Sequence, residues 1–259
     1  MTRPSKTVVL VHGLWVTTES WASFRRAFEA EGYVVHTPTW DVLQGATADH
    51  LNRYPPKALG SLTVGEIVDG LQALIETLPE PPLLVGHSFG GLFVQMLLDR
   101  GVGVAGVALN PAPIGGIVPG PMTLSAALPP IARLNGWNRP YALTRERFAE
   151  RYANAAPRAM QDEAYDTYVI PTPGRVFYQA AFWLGTGVRP ERRIQPLLIT
   201  AGDADRLVTP YISRSAYQIQ KRSRARTDYV MFPGRSHLLI AEPGWEEVAA
   251  YAIAWAEGL

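Results

Sequence analysis

A chain of 259 residues, 47% hydrophobic and 18% charged, is long enough to bury one sizeable core. Its 24 basic and 23 acidic side chains nearly cancel, which leaves no long-range field to gather nucleic acid or an anionic membrane, so the expected partner is a small molecule. With no cysteine, disulfides, thiolate metal sites and a cysteine nucleophile are excluded.

Residues 1–6 are polar and show neither a signal peptide nor an anchor. No apolar run approaches the roughly 20 residues that span a bilayer, and a cytoplasmic location is the default expectation. The first apolar run, residues 8–11, is β-branched and unalternated, which predicts a strand covered on both faces; it ends at His12-Gly13. Thr18 is a candidate N-cap for a helix reaching residue 31, with Trp21, Phe24, Ala27 and Phe28 at helical spacing and Gly32 as its stop. A strand at 33–36 follows. Residues 41–62 carry Gly45, Pro55, Pro56 and Gly60 with little periodicity and read as an irregular excursion toward the site. Helical spacing returns over 63–78 through Ile67, Leu71, Leu74 and Ile75, until Pro79, Pro81 and Pro82 stop it.

Residues 83–85 predict a third buried strand, 86–90 a sharp turn, 91–100 a helix and 102–109 another strand. This repeated order calls for a mostly parallel, doubly wound α/β sheet with helices on both faces. The pattern breaks over 111–190, expected to form a mainly helical cap insertion in a core made of 1–110 and 191–259. Two helices are predicted within it, near 145–154 and 175–184. Its aromatics (Trp137, Tyr141, Phe148, Tyr152, Tyr165, Tyr168, Phe177, Tyr178, Phe182 and Trp183) read mainly as the insertion's own core, with a pocket lining as the alternative. The sheet resumes at 196–200; a helix at 210–221, a strand at 229–232, a loop at 233–237 and a closing helix at 245–257 complete the chain. The basic run 221–226 lies between a helix and a strand, where charge reads as solvated surface.

Gly86-His87-Ser88-Phe89-Gly90 fits the G-x-S-x-G nucleophile elbow, and it sits where a strand end opens a helix, as the chemistry requires. The bland alternative is a glycine-rich turn whose serine caps the helix. A serine hydroxyl needs a base, and only five histidines exist. His87 lies inside the elbow, His12 ends the first strand, His36 ends an early strand and His50 falls in the irregular stretch. His237, in the loop after the last strand, is the candidate base. Asp203 and Asp205, both in the loop after the strand at 196–200, compete to orient it, and Asp205 is preferred. The backbone N–H groups of Leu14 and Phe89 are the expected oxyanion donors.

These motifs together resemble the α/β-hydrolase superfamily over essentially the whole sheet. Val11-His12-Gly13-Leu14-Trp15 is similar to its oxyanion motif, Gly202-Asp203-Ala204-Asp205-Arg206-Leu207-Val208 to its acid motif G-x-x-D-x-x-V, which favours Asp205, and Gly234-Arg235-Ser236-His237 to its terminal G-x-x-H. The segments 110–113 and 170–175 look like a bacterial subgroup of such hydrolases. The chain starts at the strand before His12, so the resemblance implies a sheet lacking the family's early antiparallel strands. It also implies a serine hydrolase with the triad Ser88, Asp205 and His237, acting on a carboxylic ester without metal or organic cofactor. Lactonase, C–C bond hydrolase, perhydrolase and hydroxynitrile lyase activities use the same constellation, and a small-ligand receptor is the alternative outside enzymes.

Overall fold

The computed structural model describes residues 6–259; the first five, most of the polar lead-in to the first strand, lie outside the described residues. Six strands, β1 (Thr7–Val11), β2 (Val34–His36), β3 (Leu83–His87), β4 (Ala105–Leu109), β5 (Leu197–Gly202) and β6 (Thr227–Phe232), form one sheet in the order β2-β1-β3-β4-β5-β6. Every neighbouring pair is parallel. The helices in chain order are α1 (Ala22–Ala30), α2 (Ala48–Arg53), α3 (Val64–Glu76), α4 (Phe89–Asp99), α5 (Pro121–Ala132), α6 (Arg145–Arg147), α7 (Arg158–Tyr168), α8 (Gly174–Ala181), α9 (Pro210–Gln220) and α10 (Trp245–Glu257).

Strand alternation explains why helices cover both faces: Val9 and Val11 of β1 belong to one buried cluster, Val8 and Leu10 to the other. On the first face, α3, α4 and α9 contribute Ile67, Leu71, Leu92, Phe93, Ile212 and Ala216; on the second, α1 and α10 contribute Phe24, Phe28, Val248 and Ala252. Local chemistry sets the helix starts. Thr63 and Glu66 form a reciprocal capping box at α3, with Thr63 N–H donating to Glu66 Oε2 at 2.8 Å and Glu66 N–H donating to Thr63 Oγ1 at 3.1 Å.

Residues 41–62 are more ordered than the sequence suggested, holding α2 and two short 3-10 turns, Asp41–Leu43 and Lys57–Ser61. Each short element buries one leucine, Leu43, Leu51 or Leu59, which is too sparse a signal to register as periodicity. Between β4 and β5 the structure has α5 and α7, which the sequence reading did not anticipate, besides α6 and α8. Pro129 and Pro130 lie inside α5, and α7 buries only Ala164, so neither offers an ordinary amphipathic stripe. α6 runs directly into a π-helical turn, Phe148–Tyr152.

β1 is flanked by β2 on one side and β3 on the other, so the winding direction reverses between β1 and β3. Such a switch point opens a crevice at the carboxyl ends of the strands, the ordinary place for a ligand in an open parallel sheet.

Candidate active site

Five strand ends deliver the site. β3 is wholly buried and turns into α4 through Ser88, whose φ of 58° and ψ of −122° lie outside the regions open to most L-residues. The turn is possible only because its flanks lack side chains. A Cβ on Gly86 would come within 2.2 Å of the Gly90 carbonyl oxygen, and one on Gly90 within 2.0 Å of the Val11 carbonyl oxygen. Ser88 is the N-cap of α4 yet makes no side-chain cap bond, which leaves its hydroxyl uncommitted to the helix. Backbone bonds fix the residue instead: Ser88 N–H donates to Leu109 O at 3.0 Å, and Ser88 O accepts from Gly91 and Ala112, each at 2.9 Å.

The loop after β1 lies against this elbow. A Cβ on Gly13 would be 2.8 Å from Ser88 Cβ and 3.3 Å from Phe89 N, so the Leu14 amide follows a residue in contact with the Phe89 amide. Phe89 opens α4, where the first N–H groups have no intrahelical acceptor and carry the positive end of the helix dipole.

His237 stands in the loop after β6 and is fully buried. Its Nδ1 is 2.7 Å from Asp205 Oδ2, so Nδ1–H donates to the carboxylate. Nε2 has no hydrogen-bond partner, Ser88 included. Such contacts are commonly long before substrate binds. The ring packs on His87, the residue before Ser88: His87 Nε2 donates to His237 O at 2.8 Å, and the two imidazoles are 4.6 Å apart. Tyr152 also packs against this ring, nearly perpendicular to it, at 4.7 Å and 89°.

Asp205 Oδ1 accepts from Leu207 and Val208 N–H, both at 2.8 Å, while Oδ2 accepts from His237 and from Asn110 Nδ2 at 2.7 Å. Asp203 instead accepts from Gly234 N–H at 2.6 Å and shapes its loop. Neither His12 nor His87 has a carboxylate partner here. Burial pushes the His12 imidazole down to about 4, and burial followed by the nearby His237 pushes His87 well below the ordinary histidine range.

A narrow apolar cleft opens over Ser88 and Phe89. Trp15, Ala112, Pro113, Leu207 and Val208 contribute from the sheet side, and α5 and α8 cover it with Leu124, Ala126, Ala127, Phe177, Ala180 and Ala181. Besides Ser88, its one polar side chain is Thr123, whose hydroxyl already donates to Leu207 O at 2.7 Å. No charged group lines it. Of the aromatics between β4 and β5, only Phe177 reaches the cleft; Phe148 and Tyr152 are core, whereas Trp137, Phe182 and Trp183 are exposed.

The alpha/beta hydrolase family model matches residues 8–251. The chain belongs to the alpha/beta hydrolase family. No curated protein shows significant sequence similarity to it. Among solved structures it is similar to a monoacylglycerol lipase from Paleococcus ferrophilus, at 23% identity over 99% of this chain and 96% of that one, with a TM-score of 0.68. A methylesterase from Arabidopsis matches at 17% identity over 98% and 99% of the two chains, TM-score 0.68, and a monoglyceride lipase from Saccharomyces cerevisiae at 14% over 99% and 87%, TM-score 0.73. At these identities the likeness is one of fold.

In this alpha/beta hydrolase four polar groups around the triad candidates escaped sequence reasoning. Asn110, at φ 42° and fully buried, ties three strand ends together: Nδ2 donates to Asp205 Oδ2 and, at 3.2 Å, to Ser236 O, while Oδ1 accepts from Gly202 N–H at 2.8 Å. Asn154 Nδ2 donates to Ala204 O at 2.9 Å, and Ser236 Oγ reaches Tyr152 O at 3.2 Å, so the end of the π-helical turn and the residues just after it hold the histidine loop and the acid loop. Glu242 is buried behind them, accepting from Ser236 N–H at 2.6 Å, and desolvation raises its carboxyl above the usual range. Apart from Glu242, which is six residues from Ser236, these partners lie far apart in sequence.

Proposed function

We propose that this alpha/beta hydrolase cleaves carboxylic esters of small, largely apolar substrates through an acyl-enzyme. The observation that supports the reading is the His237 imidazole, held by Asp205 at 2.7 Å with Nε2 unbonded and packed on His87, the residue before a serine whose hydroxyl caps nothing. Ser88 Oγ attacks the ester carbonyl while His237 Nε2 accepts its proton, and Asp205 stabilises the resulting imidazolium. The oxyanion collects hydrogen bonds from the Leu14 and Phe89 amides. His237 then gives its proton to the departing alcohol, and a water, deprotonated by the same nitrogen, releases the acid and restores Ser88. No metal or organic cofactor enters the cycle, and the segment between β4 and β5 serves as a cap over the acyl site.

The apolar cleft supports a substrate whose buried part is uncharged, because an ion there would lose its hydration without a partner. A panel of p-nitrophenyl esters and lactones, run with wild type and Ser88→Ala, tests the reading. Turnover of open-chain esters that falls by about 10⁴-fold or more in the variant is expected. Faster turnover of lactones than of any ester moves the assignment to lactonase, and ligand binding without turnover moves it to a receptor.

A further inference from the structure

We infer that the outer face of α5, with the segment that follows α8, docks on an anionic lipid surface and passes substrate from it into the cleft; the passage of substrate, though not the docking, rests on the ester-hydrolase reading. α5 has no charged side chain in its 12 residues. Its inner side lines the cleft through Thr123, Ala126 and Ala127, and its outer side exposes Met122 and Leu128. A helix apolar on both sides is at home only when something apolar covers it. Leu124 belongs to both surfaces, lining the cleft while 38% exposed, so the patch and the pocket are continuous.

The patch extends beyond the helix. Phe182, Trp183 and Leu184 follow α8, and Trp183 Nε1 donates to Ile117 O at 3.2 Å, which joins them to the chain entering α5. At the other end are Leu134 and Trp137, the latter packed on Tyr178 of α8 at 5.8 Å. Of 18 exposed large hydrophobic residues among the described residues, nine fall between Val118 and Leu184, which concentrates them on this side of the molecule.

Charge selects the occupant. From residue 111 to 144 the only charged side chains are Arg133 and Arg139, and from 167 to 189 only Arg175 and Arg189. Arg189 is spent on Asp99, and Arg175 is anchored at Trp137 O and feels Glu66, itself committed to the α3 cap. Arg151 reaches onto α5, donating to Met122 O at 2.8 Å. An apolar face framed by arginine and tryptophan matches the interfacial layer of an anionic bilayer. It does not match a second copy of itself, because a two-fold contact sets the same arginines against each other. The whole-chain charge balance hides this local excess.

Co-sedimentation of the full chain with phosphatidylcholine vesicles, with and without phosphatidylglycerol, tests the inference. Binding to the anionic vesicles, weakened by salt and reduced about tenfold or more by Leu128→Glu, by Phe182→Glu and by Arg133→Glu with Arg139→Glu, is expected. Circular dichroism melting identifies any variant that fails to fold, and the two arginine changes lie at exposed positions where folding is insensitive. Hydrolysis of a water-dissolved short ester stays at the wild-type rate in these variants, while that of a vesicle-dissolved long-chain ester falls with binding. Ser88→Ala binds like wild type, so a protein that docks without hydrolysing any ester defeats the functional reading and leaves the docking intact. Equal binding to both vesicle types, binding to neither, or a dimer in sedimentation equilibrium that Leu128→Glu abolishes overturns the inference.

Discussion

On one side of Ser88 directional hydrogen bonds converge on a single carboxylate, and on the other the side chains are almost all apolar. The carboxylate of Asp205 accepts four hydrogen bonds, from two backbone amides, Asn110 and His237. The side chains of the cleft offer a substrate no charge and little polarity beyond the serine itself. The first side fixes a single imidazole orientation, since each bond removes an alternative rotamer or tautomer. The second side fixes little beyond size and polarity. Two kinds of order thus meet at Ser88: directional bonds between strand ends on one side, and the apolar packing of α5 and α8 on the other.

Breaking the polar side has the largest expected effect. Asp205→Asn leaves the packing in place but favours the wrong tautomer of His237, and kcat falls by roughly 10³ to 10⁴-fold with little change in KM; steady-state kinetics on a chromogenic ester checks this. Next comes acid. His12 is buried and neutral with its imidazole lowered to about 4, so the unfolded chain binds a proton that the folded chain refuses. The stability this represents is present above the unfolded value near 6.5 and is lost as pH falls from there through about 4, an effect of roughly 3 kcal/mol. Urea unfolding at a series of pH values measures it, and His12→Gln makes that limb shallower, leaving the part that comes from His87.

Smaller changes sharpen the comparison. Asn110→Ala removes one charge-assisted bond to Asp205 and lowers kcat about tenfold while KM holds, because the cleft is untouched. Tyr152→Phe is expected to change kcat less than about twofold, since the Tyr152 hydroxyl is buried without a partner and only its ring edge meets His237; Tyr152→Leu, which removes that edge, lowers kcat and is not rescued by substrate concentration.

Legibility in the sequence followed the same division. The parallel sheet and the elbow could be read because β-branched runs and the Gly86-His87-Ser88-Phe89-Gly90 turn are local signals with local causes. The pairing of Asp205 with His237 was open to reading only through the order of loops along the chain and the family's motifs. Asn110, Asn154 and Tyr152 were invisible as site residues because their contacts join positions about 50 to 130 apart, which only the folded strand order brings together. α5 was missed for a different reason: two prolines near its end and the lack of any polar face disguise it as loop, and the same lack of polarity marks its outer surface.

The central claim is that Ser88 is a nucleophile made reactive by His237 and Asp205. Incubation with a fluorophosphonate followed by peptide mass mapping tests it most directly. The account predicts one adduct, on Ser88, absent from Ser88→Ala and formed far more slowly in His237→Ala; folded wild-type protein that stays unlabelled, or that is labelled equally well after Ser88 is replaced, contradicts it.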